Sequence, residues 1–70
     1  MDMYVVKFNN DITFAQVRQL AKNIKKNATV EPSVPEENNS FMFSDKEIAE
    51  KMITILGGVL TVISYGEILP

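Results

Sequence analysis

The spacing of apolar residues changes several times along the chain, and these changes predict six elements in the order β-α-β-β-α-β. Runs rich in β-branched and aromatic residues predict strands at residues 3–8, 28–34, 40–43 and 59–65. Apolar residues spaced three and four apart predict two amphipathic helices. One helix lies between the first two strands, and the other lies between the last two.

Polar residues predict the position at which each of the two helices begins. Thr13 and Gln16 form a T-x-x-Q capping box, and Ser44 and Glu47 form an S-x-x-E box. We therefore expect the helices to begin directly after Thr13 and directly after Ser44. Gly57 is typical of the residue that ends a helix, so the second helix should stop there.

The order of elements predicts an α+β fold, because two helices and a sheet bury their apolar faces as two layers. Right-handed crossovers would place both helices on one face of the sheet. This is the ferredoxin-like sandwich, with a four-stranded antiparallel sheet of strand order 4-1-3-2. Pro32 then lies on an edge strand, where a residue that cannot donate to the ladder is tolerated. The alternative is a three-stranded sheet in which residues 28–34 form only a loop.

Strand alternation divides the predicted sheet into a helix-covered face and an open face. The residues expected to face the helices are Tyr4, Val6, Phe8, Phe41 and Phe43. The open face would carry Val5, Lys7 and Met42. The last strand is apolar on both sides, so it adds either Leu60 and Val62 or Thr61 and Ile63.

The last strand is predicted to be an edge, yet residues 59–65 contain no charged side chain. Uncharged apolar edges favour pairing with another chain. The sequence therefore predicts a homodimer or a different protein partner. Its contacts would come from the edge and the open face, at Val5, Met42, Leu60, Val62 and Ile63. In the alternative interpretation, the tail at Ile68 and Leu69 folds over this surface.

Composition narrows the chemistry. The chain has 70 residues, enough for one domain spanning 1–70, and it contains neither cysteine nor histidine. Disulfides are excluded, and the residue types that build zinc sites and the commonest catalytic bases are missing. We expect no enzyme, no cofactor, no metal and no small-molecule substrate. No apolar run approaches the roughly 20 residues of a membrane span, so a soluble, cytoplasmic protein is expected.

Two sets of charged residues, one acidic and one basic, suggest different kinds of binding partner. Acidic residues cluster around the predicted loop at Glu31, Glu36 and Glu37, and could contact a basic protein groove. Basic residues lie on the exposed side of the first helix, at Arg18, Lys22, Lys25 and Lys26. The net charge of −2 disfavours nucleic acid as the partner.

The function predicted is a small protein-binding module that occludes a partner surface. Small size and acidity are shared with many inhibitors carried by phages and mobile elements, anti-CRISPR proteins among them. This is an analogy of character, carried by no motif. The alternative is a nucleic-acid-binding regulator that uses the basic face of the first helix.

Overall fold

The computed structural model describes residues 2–33 and 37–64, and its elements follow the predicted order. The strands pair in the order β2-β3-β1-β4, and every pair is antiparallel. This confirms the α+β, ferredoxin-like arrangement with strand order 4-1-3-2. The elements are β1 (Asp2–Phe8), α1 (Phe14–Ile24), β2 (Val30–Pro32), β3 (Ser40–Phe43), α2 (Lys46–Leu56) and β4 (Gly58–Ser64).

The second strand is shorter than predicted: of residues 28–33, only Val30–Pro32 join the sheet, and position 34 of the predicted strand lies outside the described residues. Val30 lies opposite Phe43, and Pro32 lies opposite Phe41. The three-stranded alternative is therefore wrong. Pro32 is the last residue of β2, at the edge of the sheet. Proline has no N–H to donate to a ladder, and at the edge this costs no hydrogen bond to an inner strand.

The core lies between the sheet and both helices, as the strand alternation predicts. Tyr4 is half-buried and packs against this core. The other four strand residues expected to face the helices are buried, and the apolar stripes of the helices meet them. The buried residues include Val6, Phe8, Val17, Ala21, Val30, Phe41, Phe43, Ile48, Ala49 and Met52.

The capping box at the start of α1 is confirmed. Thr13 Oγ1 accepts from the Gln16 N–H at 3.2 Å, and Gln16 Oε1 accepts from the Thr13 N–H at 3.2 Å. The first helical residue, Phe14, stays partly exposed and stacks on Phe41 with ring centroids 6.2 Å apart. The start of α1 therefore lies over Phe41, near the start of β3.

The predicted cap of α2 is wrong by one residue. Asp45 is the N-cap, and its Oδ1 accepts from the N–H groups of Glu47 at 2.9 Å and Ile48 at 3.4 Å. Ser44 Oγ instead lies 2.7 Å from Thr29 Oγ1. A carboxylate at this position also gains from the positive end of the helix dipole, which a serine hydroxyl does not.

Two glycines bring α2 directly into β4. Gly57 ends the helix with φ of 80°, a conformation that other residues rarely adopt. Gly58 is the first residue of β4, and a Cβ on it would lie 2.6 Å from the Lys7 carbonyl oxygen. The close approach lets β4 pair with β1 from its first residue, one position earlier than predicted. The predicted last strand residue, at position 65, lies outside the described residues.

Neither helix in the described segments is long and apolar enough to cross a membrane.

Candidate functional site

The edge formed by β4 is the most distinctive surface of the fold. Its residues from Gly58 to Ser64 all lie opposite residues of β1. No strand among the described residues pairs with the other side of β4. The sequence of β4, GVLTVIS, contains no charge and no proline, which are the usual means of preventing edge-to-edge pairing.

The backbone groups that face this open side follow from two hydrogen bonds. The Asn9 N–H donates to the Gly57 oxygen at 3.0 Å, and the Phe8 N–H donates to the Asn39 oxygen at 2.8 Å. In an antiparallel ladder, hydrogen-bonded pairs alternate with non-bonded pairs. The odd-numbered residues of β1 therefore bond to β4, and the even-numbered ones bond to β3. The N–H and C=O groups of Gly58, Leu60, Val62 and Ser64 therefore point away from β1, and no strand among the described residues pairs with them.

The register of β4 decides which of its side chains share the open face. Val5, at the centre of β1, lies opposite Thr61, so Val59, Thr61 and Ile63 are on the open face. Leu60 and Val62 lie opposite Val6 and Tyr4, whose side chains face the helices. The prediction that left both sets open is resolved, and Leu60 and Val62 do not belong to the open face.

Large apolar side chains are exposed on both sides of this edge. Val59 is 66% exposed and Ile63 37% exposed on the open face, and Val62 is 49% exposed on the helix side. Ile55, on α2, is 55% exposed. We call the strand β4 together with Ile55 the β4 edge. Leu60 contributes less surface, because it is half-buried against the core.

Two members of the β4 edge were missed from sequence. Val59 lies two residues before Thr61 and shares its face, so strand alternation contained the signal. Ile55 follows Met52 by three residues yet lies outside the buried stripe of α2. An apolar residue beside a helix stripe is a weaker signal, because single exposed hydrophobic residues are common.

The rest of the open face continues the apolar surface inward. Val5 and Met42 lie opposite each other and are half-buried. Glu31, on β2, lies opposite Met42 at the far edge. The open face is thus apolar along the row of Met42, Val5 and Thr61, with a basic charge at Lys7 on β1 and an acidic one at Glu31 on β2.

The predicted acidic loop is not one cluster within the described residues. Glu31 is a strand residue of β2, and Glu36 lies outside the described residues. Glu37 Oε1 lies 3.8 Å from Lys7 Nζ, a distance at which an exposed pair contributes little.

The basic face of α1 is partly neutralised. Lys25 Nζ donates to Asp45 Oδ2 at 2.8 Å, and this bond raises the pKa of Lys25 above its ordinary value. Arg18 and Lys22 line a shallow groove of about 340 Å³ that Glu31 also lines. Lys26 is exposed beyond the end of the helix.

No group of three potential metal-ligating side chains occurs in residues 2–33 and 37–64. No protein-family model, curated protein or solved structure matches the chain. The fold and the β4 edge therefore place the protein in a class defined by geometry alone. It is a two-layer α+β domain with one long, uncharged edge strand.

Proposed function

We propose that this protein is a small non-enzymatic binding module that pairs with another polypeptide chain along the β4 edge. Its action is to occupy a surface of that partner. Such occlusion needs no catalytic group, and it is the action of the small phage inhibitors whose size and acidity the chain shares.

The main support for this function is the set of backbone N–H and C=O groups of β4 that point away from β1. Four residues present N–H and C=O groups to the open side, in a strand that is paired with β1 along its whole length. An extended segment of another protein can bond to such an edge as an added strand. The backbone bonds supply affinity, and the exposed apolar side chains on both sides select the partner.

The acidic residues are a proposed second contact. Glu37 is half-buried beside Lys7, and Glu31 lies on the open face in line with Met42 and Val5. A partner strand along β4 with basic residues over the sheet would be attracted by these carboxylates.

The test uses one position on the free side of β4. The Val62 N–H points away from β1, so Val62→Pro removes a donor from the open edge and none from the β1–β4 ladder. Val62→Thr keeps both the N–H and the β-branched shape. We expect tagged wild type and Val62→Thr to retain the same protein from a nuclease-treated bacterial lysate, and Val62→Pro to lose it. Retention of one lysate protein at equal levels by all three chains would contradict the proposal.

Nucleic-acid binding is the second candidate, supported by the exposed Arg18 and Lys22 in one groove. Lys25 and Glu31 weaken it, since one is paired and the other brings negative charge to the groove. Recovery of nucleic acid, lost after nuclease treatment and strongly reduced by added salt, would favour this candidate instead.

A further inference from the structure

The β4 edge matches a second copy of itself. We propose that two chains pair their β4 strands antiparallel about a two-fold axis at Thr61, which joins their sheets into one continuous eight-stranded sheet. This inference rests on the proposed function and names the partner of the same edge.

The free backbone groups determine the register. They belong to Gly58, Leu60, Val62 and Ser64, every second residue of β4. A two-fold axis at Thr61 places Leu60 opposite the partner's Val62, and Gly58 opposite the partner's Ser64. Every free group of both strands then has a partner. An axis at Leu60 or Val62 would pair only five of the seven residues of β4.

The side chains agree with this register. On the open face, Val59 lies beside the partner's Ile63, and the two Thr61 side chains lie beside each other. On the helix side, Leu60 lies beside the partner's Val62. These are β-branched and aliphatic cross-strand pairs, which stabilise antiparallel sheets. Because β4 carries no charge, the symmetric pairing brings no like charges together.

Symmetric pairing also explains why apolar surface lies on both sides of the edge. Val59 and Ile63 are exposed on one face, while Val62 is exposed on the other. Ile55 extends the exposed surface on α2, a helix that packs on β1 and β4. A peptide lying on only one face of the sheet would leave half of this surface in water. Two copies of the same edge present matching apolar side chains on each face.

Cross-linking tests the register directly, and the absence of native cysteine leaves no background. Thr61 and the partner's Thr61 form a non-hydrogen-bonded pair, with Cα atoms about 4.5 Å apart. That separation permits a disulfide. We expect Thr61→Cys to form a disulfide-linked dimer on mild oxidation, with most of the chain converted.

Val59→Cys alone is the matched control. Its two copies would be four residues apart along the paired strands, roughly 13 Å, too far for a disulfide. A mixture of Val59→Cys and Ile63→Cys chains should form the mixed dimer, because these positions face each other. Cross-linking of Val59→Cys alone as readily as Thr61→Cys would overturn the register.

The mass of the purified chain in solution tests the pairing without cysteine. Sedimentation equilibrium should give a dimer for wild type and Val62→Thr, and a monomer for Val62→Pro with an unchanged circular dichroism spectrum. A wild type that stays monomeric, whether because its own tail covers the edge or for another reason, overturns the inference. So does a dimer that survives Val62→Pro. If the chain is monomeric but lysate binding still depends on Val62→Pro, only the identity of the partner is wrong, and the proposed function stands.

Discussion

At the scale of single residues, Asp45 connects the two helices. It caps the start of α2, and it forms an ion pair with Lys25, the residue that ends α1. The hydrogen bond from Lys25, with smaller contributions from the backbone N–H groups of Glu47 and Ile48, lowers the pKa of Asp45 below its ordinary value. The same bond raises the pKa of Lys25.

We predict that two substitutions of Asp45 lower stability by different amounts, and that the effect of losing its charge depends on pH. Asp45→Ala removes cap and ion pair, whereas Asp45→Asn keeps a capping oxygen and loses only the charge, so Asp45→Ala should lower stability more. The lowered pKa means that the ion pair stabilises the fold above the ordinary carboxyl pKa. Its contribution is lost as pH falls from there through the lowered value. Because the fold raises the pKa of Lys25, the contribution of the ion pair to stability is also lost at alkaline pH, as pH rises from the ordinary lysine pKa through the raised one.

Urea denaturation at several pH values measures this difference. The gap in midpoint between wild type and Asp45→Asn should be present at neutral pH and close in strong acid. Lys25→Gln, which removes the same ion pair from the other side, should give the same pH profile. A gap that is constant with pH would mean that the ion pair contributes nothing.

At the scale of elements, α2 has a buried side and an exposed apolar residue with different roles. Met52 is fully buried among the strands and α1, while Ile55 is more exposed than buried. The first side chain holds the helix on the sheet, and the second lies on the surface that we assign to a partner.

Truncating each residue to alanine should separate these roles. Met52→Ala should cost about 2–5 kcal/mol of unfolding free energy, because it leaves a cavity in the core. Ile55→Ala should change monomer stability by no more than about 0.5 kcal/mol, as is usual for surface substitutions. Ile55→Ala should instead weaken self-association. Denaturation at low protein concentration and sedimentation would measure the two effects, and a large loss of stability in Ile55→Ala would contradict the assignment.

How far each element could be predicted depends on how distinct its local signals are. Thr13 and Gln16 are a specific pair, and the start of α1 was predicted correctly. Ser44 and Asp45 are adjacent and both are good caps, so sequence could not choose between them. The face of β4 could not be predicted, because Leu60, Val62 and Ile63 are all aliphatic and only pairing with β1 fixes their sides.

At the scale of the whole molecule, the order of elements carried most of the information. Six elements in this order are compatible with few folds. Pro32 indicated independently that its strand, β2, lies at the edge of the sheet. The sequence assigned Glu31 both to the predicted strand 28–34 and to the acidic loop, and only its pairing with Met42 of β3 shows that it is a strand residue. The β4 edge was predicted as a binding surface from its lack of charge, and that function remains a proposal.

We predict that the thermal midpoint of the wild-type chain rises with protein concentration. The proposed pairing through β4 would stabilise the folded state by mass action, since the unfolded chain has no such edge. Val62→Pro should show a lower midpoint that does not change over the same concentrations. Calorimetry across a wide dilution series measures both. A wild-type midpoint independent of concentration would speak against self-association.

The unequal edges of the sheet set how many chains can join. The edge at β2 is three residues long, ends in Pro32 and carries Glu31, so it offers little to an added strand. Within residues 2–33 and 37–64, β4 is the long edge that no strand covers, and the proposed two-fold pairing would use it in both chains. Under the proposed pairing each chain therefore has a valence of one, so growth would stop at two copies and the uncharged sheet edge would not extend into a fibre. Removing the features that block the β2 edge, Pro32 and Glu31, rather than altering β4, is the change that would turn a closed pair into an open polymer.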